Sequence, residues 1–101
     1  MKIDKLQNGN LMTFFLDGEL DSTQSKFLEE EINNLPNEIL NLVLDLEKLE
    51  YTSSAGIRAL LLANKTMKER KGSFKIIKVN SNVYEILKIA ALIDILKPEK
   101  I

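Results

Sequence analysis

Apolar residues along the chain follow two rhythms, and the switches between them set out seven elements. Residues 2–18, KIDKLQNGNLMTFFLDG, read as two short strands joined at Asn8–Gly9. An Asn-Gly pair readily takes the positive φ angles of a tight hairpin turn, and Gly18 is expected to close the second strand. The period then lengthens. Leu28, Ile32 and Leu35 form a helical stripe, with Glu29, Glu30 and Glu31 expected in water on the other side. Asp21 is a good N-cap for this helix, Gln24 three residues later is compatible with a capping box, and Pro36 ends it.

Residues 38–49, EILNLVLDLEKL, are almost continuously apolar, the pattern of a central strand buried on both faces of a parallel or mixed sheet. After Ser53 and Ser54, residues Ile57, Leu60, Leu61 and Met67 recur at helical spacing, with Gly72 in a typical C-cap position. Residues 73–80, SFKIIKVN, supply another strand. Residues 81–96, SNVYEILKIAALIDIL, supply a third helix with Val83, Ile86, Leu87 and Ala90 on its inner face. Strands alternating with helices imply crossover units that place helices against a sheet. The expected fold is an α/β sandwich: a mixed central sheet of about four strands, entered through the N-terminal hairpin and packed with three main helices.

Composition narrows the chemistry. A chain of 101 residues without repeats, low-complexity tracts or linkers fits one domain over residues 1–101 with a single core. Fourteen basic and fifteen acidic residues leave a net charge of −1, without the basic excess of a nucleic-acid domain. The nearest basic run, KTMKERKG at 65–72, is interrupted by Glu69 and reads as a solvated helix end whose cations favour the dipole. Without Cys there is no disulfide, thiolate nucleophile or cysteine zinc site; without His the commonest general base and metal ligand are missing. Neither a metal site nor a cofactor is expected. No apolar run approaches the roughly 18–20 residues of a membrane span, and MKIDKLQNGN lacks the apolar core of a signal peptide. The expectation is a soluble, cytoplasmic protein.

Ser53 and Ser54 stand directly before the second helix. The plain reading is an N-cap, a serine oxygen accepting from an early helix N–H, worth about 0.5–2 kcal/mol. The same helix end carries unsatisfied N–H groups and partial positive charge, so it also welcomes a phosphate. A phosphoserine there would put about −1.5 to −2 charges on an exposed turn and repel a partner docked through apolar contacts. Asp21 has the same double reading: a cap, and a carboxylate on a loop expected to gather at the sheet edge near Ser54. Asp45 and Glu47 raise a paired-carboxylate acid/base site, but a strand fading into solvent explains them better. Gly18 and Gly56 make no phosphate loop, since no Gly-rich cluster and no Gly-Lys-Ser/Thr is present. Tyr51 and Tyr84 read as packing residues. An enzyme built from this inventory would need Ser plus Lys chemistry or an oxygen-only metal site.

Two segments carry a resemblance. LDGELDSTQSKFLEEEI (16–32) is similar to the Gly-Glu-Leu-Asp segment leading into the first helix of STAS domains of the bacterial anti-sigma factor antagonist (anti-anti-sigma factor) family. NLVLDLEKLEYTSSAGIRALLLA (41–63) resembles that family's central strand, phosphorylation loop and second helix, and IIKVNSNVYEILKIAAL (76–92) its next strand and helix. The resemblance implies a partner switch. Unphosphorylated antagonist binds a kinase-type anti-sigma factor, which releases its sigma factor; the kinase phosphorylates a serine at the start of the second helix, and a phosphoserine phosphatase reverses this. The chain would be substrate and switch, with no catalysis of its own. By alignment with the family's Asp-Ser-Ser-Gly-Leu, the acceptor falls on Ser54, with Ser53 as the alternative. The partner surface falls on Asp21, Thr52, Ser53, Ser54, Ile57 and Arg58.

Three features depart from the family pattern. Ser53 stands where the family carries an acidic residue, Arg58 where a small residue is frequent, and the chain ends soon after ILKPEKI, where many members have a further strand and helix. The resemblance also leaves a second reading: a non-switching STAS scaffold or sensor subunit of a transporter or signalling complex, with Ser54 only a cap.

Overall fold

The N-terminal hairpin forms, one residue out of its expected position. In the computed structural model, which describes residues 1–101, strand β1 (Lys2–Asn8) pairs antiparallel with β2 (Leu11–Leu20), and Asn8 faces Leu11. The two loop residues are therefore Gly9 and Asn10, not Asn8 and Gly9. Only Gly9 has a positive φ, 62°, which is the type II′ pattern with glycine first.

β2 does not stop at Gly18 but continues to Leu20. Helix α1 (Ser22–Asn33) follows and leads to β3 (Asn41–Thr52); helix α2 (Ser54–Glu69) leads to β4 (Ser73–Ile77). The sheet order is β1-β2-β3-β4, with β3 parallel to both β2 and β4. This is the mixed four-stranded sheet expected from the sequence.

β3 is not buried on both faces. Leu42, Leu44 and Leu46 point into one core with Met12, Phe14 and Leu16 of β2, Ile76 of β4, and Leu28, Ile32, Leu60 and Met67 of the helices. On the opposite face Leu11, Thr13, Val43 and Ile77 are only half-buried, and Phe15 is exposed. A near-continuous apolar run thus serves a sheet with one well-covered face.

Alternation in β3 breaks twice. Phe15 pairs with Asp45 but Asp17 with Lys48, and Gly18 pairs with Leu49 but Glu19 with Tyr51, so β3 gains one residue on β2 at each shift. Each extra residue resets which side chains face inward. The buried set therefore runs Leu42, Leu44, Leu46, Leu49, Thr52. Asp45 is buried, not fading into solvent. One of its oxygens accepts from the Glu47 N–H at 3.0 Å inside the first irregularity, and the other lies 3.8 Å from the Lys78 ammonium.

Helix ends differ from expectation in instructive ways. Leu28 and Ile32 are buried on α1, and Leu35 is buried just past its end. Of the glutamates opposite, only Glu30 is exposed; Glu29 and Glu31 are half-buried, and Glu31 pairs with Lys5 of β1 at 2.7 Å. α2 is capped by Arg70, not Gly72. Lys71 takes the left-handed conformation (φ 59°), while the N–H groups of Lys71 and Gly72 return to the carbonyls of Lys68 and Met67, a Schellman ending. Gly72 is needed for another reason: a Cβ there would run into the Leu40 carbonyl.

The single third helix expected over 81–96 is two. Helix α3 (Ser81–Ile89) ends in a second Schellman turn with Ala91 at φ 61°, and the one-turn helix α4 (Ile93–Leu96) follows. The Leu92 N–H bonds the Leu87 carbonyl at 3.0 Å, and both side chains are buried. Burying Leu92 in that turn ends α3 and leaves Ala90, expected on the inner face, exposed. The chain's last residues return beside β4: Glu99 donates to Ile76, and Val79 donates to Glu99. No helix is long and apolar enough to cross a membrane.

Candidate functional site

Three helices start at the same end of the sheet: β2 and β3 stop there, and the chain after β4, which ends opposite Asp45, reaches it at Asn80. Leu20 of β2 and Thr52 of β3 are register partners, so Asp21 and Ser53, the next residues, emerge side by side. Each caps the helix it begins. A carboxylate oxygen of Asp21 accepts from the Gln24 N–H at 2.8 Å, which is half of the expected capping box. The Ser53 hydroxyl accepts from the Gly56 N–H at 3.1 Å. At the third helix Asn80 accepts from Val83 at 2.9 Å and donates to the Leu49 carbonyl at 2.7 Å, while Asn82 donates to Glu50 at 2.9 Å. Carboxyl ends of parallel strands are where α/β folds gather their functional loops.

The two serines divide the roles that the sequence left open between them. Ser53 is half-buried and its hydroxyl is fully engaged: it accepts from Gly56 and donates to the Leu20 carbonyl at 3.1 Å. Ser54 is the first residue of α2, exposed, and its hydroxyl bonds nothing within the chain. It lies among the N–H groups that a helix leaves unsatisfied at its start. Ser53 is the cap, and Ser54 is the free hydroxyl.

Thr52 is buried, its hydroxyl donating to the Ser53 carbonyl at 3.2 Å, so it supports the turn from beneath. Ile57 is half-buried against the core, while Arg58 is exposed one helical turn beyond Ser54. Asp21, Ser53, Ser54 and Arg58 therefore share one rim. Tyr51, expected to pack, is 43% exposed at the same end of the sheet. Tyr84 is half-buried, with the Lys100 ammonium 4.2 Å from its ring centre.

Gly56 is fixed by close packing that the sequence analysis does not assign to it. A Cβ there would meet the Thr52 hydroxyl, and would lie 2.8 Å from both the Leu20 side chain and the Leu20 carbonyl. α2 can start this close to the β2–β3 seam only with glycine at that point. The sequence carries a signal for it: glycine within a helical pattern costs up to about 1 kcal/mol against alanine, which asks for a packing reason.

Asp45 and Glu47 lie further back along β3. With Lys2, Asp4, Asp17 and Lys48 they edge a shallow depression of about 200 Å³ on the thinly covered face of the sheet. No group of three or more His, Cys, Asp or Glu side chains is placed to hold a metal ion.

This architecture, a mixed four-stranded sheet with helices launched together from one edge, defines a known class. The STAS domain family model matches residues 2–101, and the chain belongs to that family. Among curated proteins it is similar to BtrV of Bordetella bronchiseptica, described as a candidate anti-sigma factor antagonist, with 28% identity over 94% of this chain and 83% of that one. A Thermotoga maritima structure, also described as a candidate anti-sigma factor antagonist, superposes with a TM-score of 0.88 at 15% identity, covering 98% of this chain and 86% of that one. The anti-sigma factor antagonist SpoIIAA in its unphosphorylated form gives a TM-score of 0.75 at 14% identity, covering 99% and 87%. SpoIIAA of Bacillus in its phosphorylated form gives 0.74 at 14%, covering 90% and 85%.

Proposed function

We propose that this chain is an anti-sigma factor antagonist in which Ser54 is a phosphorylation switch. In its unphosphorylated form it binds a serine-kinase-type anti-sigma factor through the rim of Asp21, Thr52, Ser53, Ser54, Ile57 and Arg58. The sigma factor is thereby released. Phosphate on Ser54 ends the complex, and a phosphoserine phosphatase restores it. Residues 1–101 act as one STAS domain in the cytoplasm, as a protein substrate with no catalysis of its own.

The observation that carries this reading is the division of labour between the serines. A kinase needs a hydroxyl it can reach and deprotonate, and Ser54 offers one at an exposed first helical position. Ser53 would have to give up its bond to Leu20 and uncap α2 before it could react. A phosphate on Ser54 sits near unsatisfied helix N–H groups, which the fold tolerates. To a docked partner the same group presents about −1.5 to −2 charges beside the Asp21 carboxylate. SpoIIAA, of the same fold, is described in both phosphorylated and unphosphorylated forms.

The test is incubation with the kinase-type anti-sigma factor of the same organism and ATP, followed by peptide mass spectrometry and a binding measurement. One phosphate on Ser54, lost in Ser54→Ala and retained in Ser53→Ala, is the expected result. Absence of both phosphate and binding would overturn it.

A further inference from the structure

Arg58 is a cation without a partner. It is exposed and takes part in none of the chain's ion pairs or side-chain hydrogen bonds, which engage Lys2, Lys5, Lys75, Lys78 and Arg70 instead. Its own helix explains why. On a helical surface a side chain meets those three and four positions away. For Arg58 these are Ala55, Leu61, Leu62 and Ser54. Three are apolar, and the fourth is the free hydroxyl at the first position of α2.

We infer that Arg58 is a built-in clamp for a phosphate on Ser54, an intrahelical pair formed only in the phosphorylated protein. This rests on Ser54 carrying phosphate, as proposed above. Residues four apart have Cβ atoms about 5–6 Å from each other, well within reach of a phosphate on one side and a guanidinium on the other. The polarity is the favourable one, with the anion towards the helix N-terminus and the cation following it. Guanidinium binds phosphate through two parallel N–H···O bonds, a geometry that lysine cannot match. No acidic residue occupies the first turn of α2 to compete for Arg58. The Asp21 carboxylate on this rim belongs to the neighbouring α1 cap and already accepts from Gln24, and Glu19 and Glu50, exposed at the same end of the sheet, lie on β2 and β3 and not on α2.

The clamp gives phosphorylation a second effect. Unmodified protein presents Arg58 as a free positive group on the docking rim, available to an acidic group of the partner. Phosphorylated protein turns that cation inward along its own helix. The switch both adds negative charge and withdraws the positive one, so the rim changes sign.

The experiment installs phosphoserine at position 54 during synthesis of the full chain, so it does not depend on any kinase. The second ionisation of the phosphate is followed by 31P NMR in the wild-type background, in Arg58→Gln and in Arg58→Lys. A phosphoserine unaided titrates near pH ~6, and the helix N-terminus lowers this equally in all three. The expected result is a midpoint about 0.2–0.4 pH unit lower in wild type than in Arg58→Gln, with Arg58→Lys between them. Midpoints that coincide in all three would overturn the clamp. If no kinase modifies Ser54 while the midpoints still separate, the switch reading fails and the clamp stands.

Discussion

Both the backbone N–H and the hydroxyl of Ser53 converge on the carbonyl oxygen of Leu20, at 2.9 and 3.1 Å. A single oxygen at the end of β2 thus anchors the residue that caps α2, while the next residue along, Asp21, caps α1. Ser53→Ala removes both the cap and the side-chain bond to Leu20. It is expected to destabilise the fold by about 1–2 kcal/mol in urea unfolding. Ser53→Asp keeps a cap acceptor, but an ionised carboxylate cannot donate to Leu20, so its loss should fall between wild type and alanine. Ser54→Ala, with no bond to lose, should stay within about 0.5 kcal/mol of wild type. A Ser54→Ala loss as large as that of Ser53→Ala would contradict the assignment of cap and free hydroxyl.

Two glycines are fixed by close approach, not by a positive φ, and both should resist alanine. At Gly56 the added methyl meets the Thr52 hydroxyl and the Leu20 carbonyl; at Gly72 it meets the Leu40 carbonyl. Backbone atoms cannot step aside as a flexible side chain would. Each substitution is expected to cost about 1–3 kcal/mol, the scale of overpacking, despite alanine's better helix propensity at position 56. For Gly56→Ala the backbone amides of residues 20–22 and 52–56 should shift in heteronuclear NMR spectra, because the strain falls on the β2–β3 seam. Unchanged stability in either variant would show that the helices can move away freely.

Much of this was readable in the sequence, and what was not has a common cause. Element order, the sheet and the caps at Asp21 and Ser53–Ser54 follow from local pattern, because apolar period and cap chemistry act over a few residues. The misplacements depend on partners distant in sequence. Gly18 was expected to end β2, yet pairing with Leu49 carries the strand through it. The sequence places Ala90 inside a helix over 81–96, yet burial of Leu92 ends α3 at Ile89 with the chain reversing at Ala91. The apolar run in β3 was expected to face two covered sides, while Val43 and Phe15 share a thinly covered one. Within the site, the sequence narrowed the choice to two adjacent serines. Telling them apart needed the Leu20 carbonyl, 33 residues from Ser53.

Arg70 illustrates how a residue read as part of a solvated basic run can hold the fold. Its guanidinium donates to three backbone carbonyls after α1, those of Leu35, Pro36 and Ile39, at 3.0, 2.7 and 2.9 Å. These oxygens lie in the connection to β3; that of Pro36 also accepts from the Ile39 N–H at 3.0 Å, while those of Leu35 and Ile39 would otherwise rely on water. Arg70→Ala should therefore destabilise by about 1.5–3 kcal/mol, the range for charge-assisted bonds. Arg70→Lys should recover only part, because an ammonium cannot reproduce the planar fork. The neighbouring exposed Lys71→Gln serves as the control, expected within about 0.5 kcal/mol of wild type in the same unfolding experiment.

Ser54→Asp separates stability from binding, because a negative charge at this position acts on the two in opposite directions. An acid at the first helical position interacts favourably with the helix N-terminus, so stability should rise by about 0.3–1 kcal/mol at low ionic strength and fall back with added salt. Towards the proposed anti-sigma factor partner the same charge is repulsive and must be desolvated at the docking rim, which should weaken binding by roughly 1–3 kcal/mol. Thermal unfolding and isothermal titration calorimetry on one preparation measure both. Gained stability with lost binding marks Ser54 as the switch. Gained stability with unaltered binding would make Ser54 only a helix position, and would favour a STAS scaffold whose partners dock elsewhere. Lost stability would contradict the exposed, unbonded hydroxyl from which the assignment starts.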